Sequence, residues 1–252
     1  MDTSRSKPKA AVAIVAALER EILPLVRGWR IIYREHEGRR HKFFEGENAV
    51  VVCGGIGAQP AARAAQAAVE LYAPDALVSA GFAGSLTPEL RVGQTFVASR
   101  MIDASSGKIY EAECGTESGE GTLLTVGEIA GREEKRRLVE RFHARALDME
   151  AAAVAEIAAK FHLRFMAVKA ISDEMGDHLP PMQKFVHEDG SFAGGRFLLH
   201  VLLQPQRWPA IFRLVRNARE AANTLSAALR QLLDRQGAGG FKVESGIAQI
   251  NL

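Results

Sequence analysis

Asp148-Met149-Glu150-Ala151-Ala152-Ala153, and after it Phe165-Met166-Ala167-Val168-Lys169-Ala170-Ile171-Ser172-Asp173, decide the fold of this chain. The first stretch sets an acid at the mouth of a small-residue helix. The second ends an apolar run on an acid. The order is strand, acid, helix, strand, acid. It predicts two carboxylates converging at one edge of a parallel sheet, where open α/β folds bind ligands.

Working outward, residues 10–17 form a continuous apolar run, as in a strand buried on both faces. Residues 18–28 read as a helix starting at Glu19 and Glu21. Residues 41–45 and 49–53 read as a hairpin pair. Gly54-Gly55-Ile56-Gly57 is a glycine turn before an alanine-rich helix over 60–72. A buried strand over 76–80 ends at Gly81-Phe82-Ala83-Gly84-Ser85, and 95–99 and 123–126 read as further strands. Residues 133–142 read as a helix, and the polar, glycine-rich stretch 103–121 as a mobile loop. Residues 182–204 look helical but are broken by Asp189-Gly190 and Gly194-Gly195. A long amphipathic helix spans 208–233. Strands alternating with helices predict an α/β sandwich around a mostly parallel or mixed sheet.

The 252 residues fit one domain, and 47% hydrophobic with 25% charged residues is ordinary for a globular chain. A formal net charge of +2 gives no reason to expect nucleic acid. Cys53 and Cys114 make no disulfide framework, which points to a reducing compartment, the cytoplasm. The run over 10–17 is too short to span a membrane and passes straight into Glu19 and Glu21, so a first strand is preferred to a signal peptide. No His/Cys/Asp cluster has metal-ligand spacing, so no metal is expected. His178 and His187 follow Asp173, and packing or surface roles are preferred for both.

Six pieces in order resemble the nucleoside phosphorylase / methylthioadenosine–S-adenosylhomocysteine nucleosidase superfamily. They are Ala17-Leu18-Glu19-Arg20-Glu21, Gly54-Gly55-Ile56-Gly57, Ser79-Ala80-Gly81-Phe82-Ala83-Gly84-Ser85, Leu90-Arg91-Val92-Gly93, Asp148-Met149-Glu150-Ala151 and Ala170-Ile171-Ser172-Asp173. Leu179-Pro180-Pro181, Asp189-Gly190, Leu203-Gln204-Pro205 and the closing helix resemble the hopanoid-associated branch of that superfamily. The resemblance implies a three-layer phosphorylase/hydrolase-like sandwich around a mixed central sheet, with an extra C-terminal helical element. The expected layout is a disordered tail over 1–9, a nucleoside phosphorylase-like domain over 10–204, a helix over 205–236 packed on it, and a flexible tail over 237–252.

The implied reaction is cleavage of the N-glycosidic bond of a purine nucleoside, an adenosine modified at the 5′ carbon, with release of adenine. The ribosyl group becomes oxocarbenium-like while the base gathers negative charge, so the enzyme must protonate the base, hold the sugar and position a nucleophile. By the resemblance Asp173 is the general acid toward N7, and desolvation by the apolar strand before it would raise its pKa. Ser172 would orient Asp173. Glu150 would accept hydrogen bonds from the ribose 2′- and 3′-hydroxyls, with Met149 against the sugar face. Glu21 matches the carboxylate that activates water. Gly81 to Gly84 would let backbone approach the ligand, Gly84 included. The bland alternatives are a helix-capping Asp173, and a Glu150 that favours a helix dipole above a core Met149.

Phe82 stands where the well-studied nucleosidases carry serine, which suits a more apolar substrate. A carboxylate at Glu21 repels a phosphate dianion and favours hydrolysis, yet Arg20 is adjacent. The rivals are therefore a phosphate-dependent phosphorylase, with adenosylhopane as a candidate substrate, and a non-catalytic nucleoside-binding protein. No cofactor is expected beyond phosphate as co-substrate in the first rival. A homo-oligomer, a dimer or larger, is expected. In the closing helix Leu214, Val215, Ala218, Ala222, Leu225, Leu229 and Leu232 share one side, while Arg213, Arg216, Arg219 and Arg230 lie mostly on the others. Docking on the domain or on a subunit is preferred there to peripheral contact with an anionic membrane.

Overall fold

The structure, a computed structural model, describes residues 10–113, 121–177, 185, 187, 190 and 208–238. Strand β1 (Val12–Ala16) is buried throughout, as its unbroken apolar run predicts. It lies between β4 (Ala49–Cys53) and β5 (Ala76–Ser85) and is parallel to both. Strand β11 (Arg164–Asp173) is parallel to the far side of β5 and antiparallel to β6 (Thr95–Val97). Strands β2 (Arg30–His36) and β3 (Arg39–Glu45) extend the sheet beyond β4 as an antiparallel meander. On the other flank β10 (Ala146–Asp148) pairs antiparallel with β5 and parallel with β9 (Thr122–Thr125). Beyond it stand β7 (Arg100–Asp103) and β8 (Ile109–Glu111). Among the described residues, eleven strands thus form one mixed sheet.

Alternation along the strands assigns the layers. Ala13 and Val15 of β1, with Phe165, Ala167 and Ile171 of β11, pack against α2 (Ala58–Tyr72) and α4 (Ala151–Lys160). Val12, Ile14, Met166, Val168 and Ala170 face the other way, against α1 (Glu19–Val26) and α5 (Trp208–Ala238). Both faces are covered, so central strands read as continuous apolar runs. Alanines carry the contact between α2 and α4, and small side chains let two helix backbones approach closely. Helix α3 (Arg132–Phe142) closes a smaller cluster beside β9 and β10. The result is the expected three-layer α/β sandwich with an added C-terminal helix.

Three details differ from the sequence reading. The strand at residue 76 continues through the glycines to Ser85. Within the stretch 103–121, β8 folds back on β7 as an ordered hairpin, while residues 114–120 lie outside the described residues. An edge strand, β2, lies between α1 and β3. The expected tails (apart from the end of α5), the broken helical stretch over 182–204 (apart from Phe185, His187 and Gly190), Cys114 and His178 lie outside the described residues. No described helix is long and apolar enough to cross a membrane.

Candidate active site

The sheet forks along β5. On one edge β5 pairs with β1 as far as Ser79 and with β10 only from Gly84. Strands β1 and β10 run in opposite senses, so their carboxyl ends approach each other over Ala80 to Ala83. Chain leaving β1 delivers Glu21 in the first turn of α1. Chain leaving β10 delivers Glu150 at the start of α4. Strand β11, on the opposite edge of β5, ends in Asp173 against Gly84. The carboxylates therefore meet at a fork in a mixed sheet, which replaces the single parallel edge read from the sequence. Direction was not legible there because β10 is three residues long and its sense is set by a non-local partner.

A bulge aims Asp173. The register of β11 on β5 slips between Ile171 and Asp173, so Ser172 has no partner on β5. Bulges bend a strand and redirect its side chains, often beside active sites. The Ser172 hydroxyl donates to Asp173 Oδ1 at 2.9 Å. The Lys135 ammonium of α3 donates to Asp173 Oδ2 at 2.5 Å and to the Glu174 carbonyl at 3.0 Å. Both oxygens of the carboxyl are thereby fixed. The apolar setting expected for Asp173 is in fact a buried ion pair, with the Lys135 side chain only 1% exposed.

Glycines make room for these groups. A Cβ on Gly84 would lie 2.9 Å from Asp173 Oδ2, and one on Gly81, where φ is +151°, 3.0 Å from Glu21 Oε2. Two acids thus reach one strand at positions three residues apart, roughly 10 Å along it.

Glu150 sits at the N-cap position of α4 but makes no side-chain cap. Its Oε1 accepts from the Gly57 N–H at 2.8 Å, and its Oε2 from the Met149 N–H at 3.3 Å. The start of α4 is served instead by Asp148, whose Oδ2 accepts from the Ala151 N–H at 2.9 Å. Asp148 also takes the Thr125 hydroxyl at 2.7 Å and pairs with Lys169 at 2.8 Å. Lys169 donates onward to Ser79 Oγ at 3.0 Å. Freed from capping, Glu150 faces the cavity.

Burial pushes the Glu150 carboxyl up to about 7, with the Asp148 charge acting in the same direction. Burial likewise raises Glu21, against a hydrogen bond from the Leu18 N–H and the charge of Lys169. A carboxyl raised in the folded state binds its proton more tightly there than in the unfolded chain. Its contribution to stability is full below about 4.5 and is lost as pH rises through about 7. Glu150 keeps some contact with solvent, so the expected loss is about 2 kcal/mol. Thermal melts from pH 5 to pH 8 on the wild type and Glu150→Gln test this. The decline in melting temperature should be several degrees smaller in the variant, and equal declines would remove Glu150 as its source.

Asp173, Glu21, Glu150, Met149, Gly84, Phe82 and Ser172 all line one cavity of about 150 Å³. This is smaller than the roughly 300–1,000 Å³ of typical ligand pockets. It adjoins a second cavity of about 770 Å³ between α1 and α5, and Arg20 and Phe82 line both. Phe82 is the partition between them. Lys135 and Asp148 also line the smaller cavity and were not singled out as site residues from the sequence. Among the described residues, no group of three or more His, Cys, Asp or Glu is arranged to hold a metal ion.

A cavity at a sheet fork, walled by the carboxyls of Glu21, Glu150 and Asp173 and by an ion-paired lysine, is the site of an enzyme. The chain belongs to the phosphorylase superfamily, whose family model matches residues 11–121 and 111–202. It is similar to a 5′-methylthioadenosine/S-adenosylhomocysteine nucleosidase of Marinomonas sp. (strain MWYL1), at 24% identity over 206 residues, 68% of this chain and 89% of that relative. Its fold matches a Helicobacter pylori enzyme of the same name, complexed with a pyrrolidin-3-ol that bears an aminopyrrolopyrimidine and a propynylthio group. There the TM-score is 0.68 and identity 18%, over 90% of this chain and 99% of the other. It also matches the futalosine hydrolase of Helicobacter pylori strain 26695, with a TM-score of 0.67 and 18% identity over 92% and 100% of the two chains.

Proposed function

We propose that the protein hydrolyses the N-glycosidic bond of a 5′-modified adenosine and releases adenine. The observation that carries this reading is the placement of three acids around one cavity. Asp173 and Glu21 approach β5 three residues apart, and Glu150 faces them from α4. An acid and a base that serve a single displacement by water must stand well apart. In inverting glycosidases the two carboxyls are roughly 6.5–9.5 Å from each other. Asp173 and Glu21 meet β5 at points roughly 10 Å apart along the strand, so they too stand apart.

Asp173, held in plane by Ser172, delivers the proton of its pair with Lys135 to N7 of the departing base: the Lys135 ammonium gives one proton to the carboxylate as the carboxylate passes one to the base. Glu150 accepts from the ribose hydroxyls, with Met149 beneath the sugar. Glu21 takes a proton from the attacking water, a task suited to a carboxyl raised by burial. The similar proteins include nucleosidases and a futalosine hydrolase, so the identity of the nucleoside is the open variable. A neighbouring subunit of a homo-oligomer is proposed to complete the pocket.

One observation favours a second reading. The adjoining cavity is lined by Arg20, Arg27, Arg219 and Arg230. Such a set attracts anions, phosphate included, and a phosphorylase acting on a bulky nucleoside such as adenosylhopane would use both cavities. Base release from methylthioadenosine, S-adenosylhomocysteine, 5′-deoxyadenosine, adenosine and futalosine, with and without phosphate, decides between them. Release without phosphate is expected. Release only with phosphate would transfer the nucleophile's role from water to the arginine cavity, and tight binding without release would make the protein a nucleoside binder.

A further inference from the structure

From Ala221 onward α5 docks as expected, with Ala221, Leu225 and Leu229 fully buried against the sheet and α1. The turns before it bury Asn217 and half-bury Leu214 but leave a second face uncovered. Trp208, Phe212 and Val215 are 41%, 71% and 61% exposed and follow one another at helical spacing. Val215, read from the sequence as part of the docked side, points outward. Leu23 of α1, 53% exposed, lies across the groove. Arg213, Arg216 and Arg219 share the N-terminal half of α5 with Glu220, and Arg27, just past the end of α1, adds a fourth exposed cation. Asp177 lies 3.9 Å from Arg213. The larger cavity opens between the two helices and has no carboxylate in its lining among the described residues. Arg230 at its far end donates to the Pro24 carbonyl, which ties α5 to α1.

We propose that this face, the N-terminal half of α5 with the exposed edge of α1, docks on an anionic lipid bilayer. Phe212, Val215, Leu23 and Trp208 enter the interface. Arg27 and Arg219 meet lipid phosphates at the cavity mouth, and exposed Arg216 meets them beside it. Exposed aromatic and aliphatic side chains among arginines have the composition of interfacial helices. Charge selects the occupant. A two-fold contact with a second copy would set this arginine cluster against itself, with Glu220 and Asp177 as the near acids to offset it. A bilayer containing anionic lipid offers both an apolar layer and the opposite charge. The contact is peripheral in kind, because it is made by side chains on the outer faces of two helices. The proposal goes beyond the nucleosidase reading and does not depend on it.

Flotation of the full chain with phosphatidylcholine vesicles, with and without phosphatidylglycerol, tests it. Binding is expected only with phosphatidylglycerol and should weaken as salt rises. Arg216→Gln with Arg219→Gln should bind roughly thirtyfold more weakly. Phe212→Ser with Val215→Ser should also bind more weakly. Both double variants should keep the wild-type circular dichroism and melting temperature. Failure to bind, equal binding to neutral vesicles, or wild-type binding by both variants would overturn the proposal. So would a dimer in light scattering that Phe212→Ser with Val215→Ser dissolves, because the face would then be a subunit interface.

Discussion

Asp173→Asn is expected to lower kcat by roughly 10² to 10⁴, the usual worth of a positioned general acid, while leaving nucleoside binding within a few-fold. Asparagine has the shape of the acid and can still accept from Ser172, but it has no proton to give to a departing base. The substitution also acts on Lys135. That ammonium is buried and would keep the Glu174 carbonyl but lose its anionic partner. Stranding a buried charge costs about 3–5 kcal/mol, so the variant should melt lower as well as turn over slowly. The two effects are separated by measuring single-turnover base release and nucleoside binding well below the variant's melting temperature. Binding retained with release lost identifies Asp173 as the acid. Release at the wild-type rate would sink that assignment, and loss of both together would reduce Asp173 to a structural partner of Lys135.

Much of this was legible because the acids stand where the sequence changes character. Glu21, Glu150 and Asp173 each close an apolar run or open a helix, and a strand tip is where an α/β fold presents a side chain. The lysines were hidden for opposite reasons. Lys135 lies in Arg132–Phe142, where charged residues dominate, and nothing local marks the one that turns inward. Lys169 was in plain view as the one charge inside the buried stretch between Arg164 and Asp173. Such a residue must have an anion beside it, and Asp148, already quoted in the opening motif, is that anion. The edge strand β2 escaped notice because an edge alternates exposed and half-buried positions and carries charge throughout. The fork at β5 could not be read at all. It depends on which strand lies beside Ala80 to Ala83, a fact set by packing across the sheet.

Lys169→Met should destabilise the protein by about 3–5 kcal/mol, a fall in melting temperature of roughly 10 °C for a chain of this size. Methionine fills the same slot, so volume is conserved and the loss is electrostatic. Asp148 is fully buried at its side chain and would keep the Thr125 hydroxyl and the Ala151 N–H but no cation. The same lysine also holds down the carboxyls of Glu150 and Glu21. Without it Glu150, already at about 7 through burial and the Asp148 charge, should titrate higher still. If Glu150 accepts from the ribose hydroxyls, KM at neutral pH must then rise, and raising the pH must recover it. A purely structural lysine would change stability without that pH-dependent recovery. Adding Asp148→Asn to Lys169→Met removes the stranded anion and the like charge beside Glu150 together. The double variant should regain much of the lost stability and much of the shift in KM, a coupling that additive effects of two distant residues would not produce. A single variant that melts like the wild type would mean that Lys169 and Asp148 do not depend on each other, and the electrostatic account of the site would fall with them.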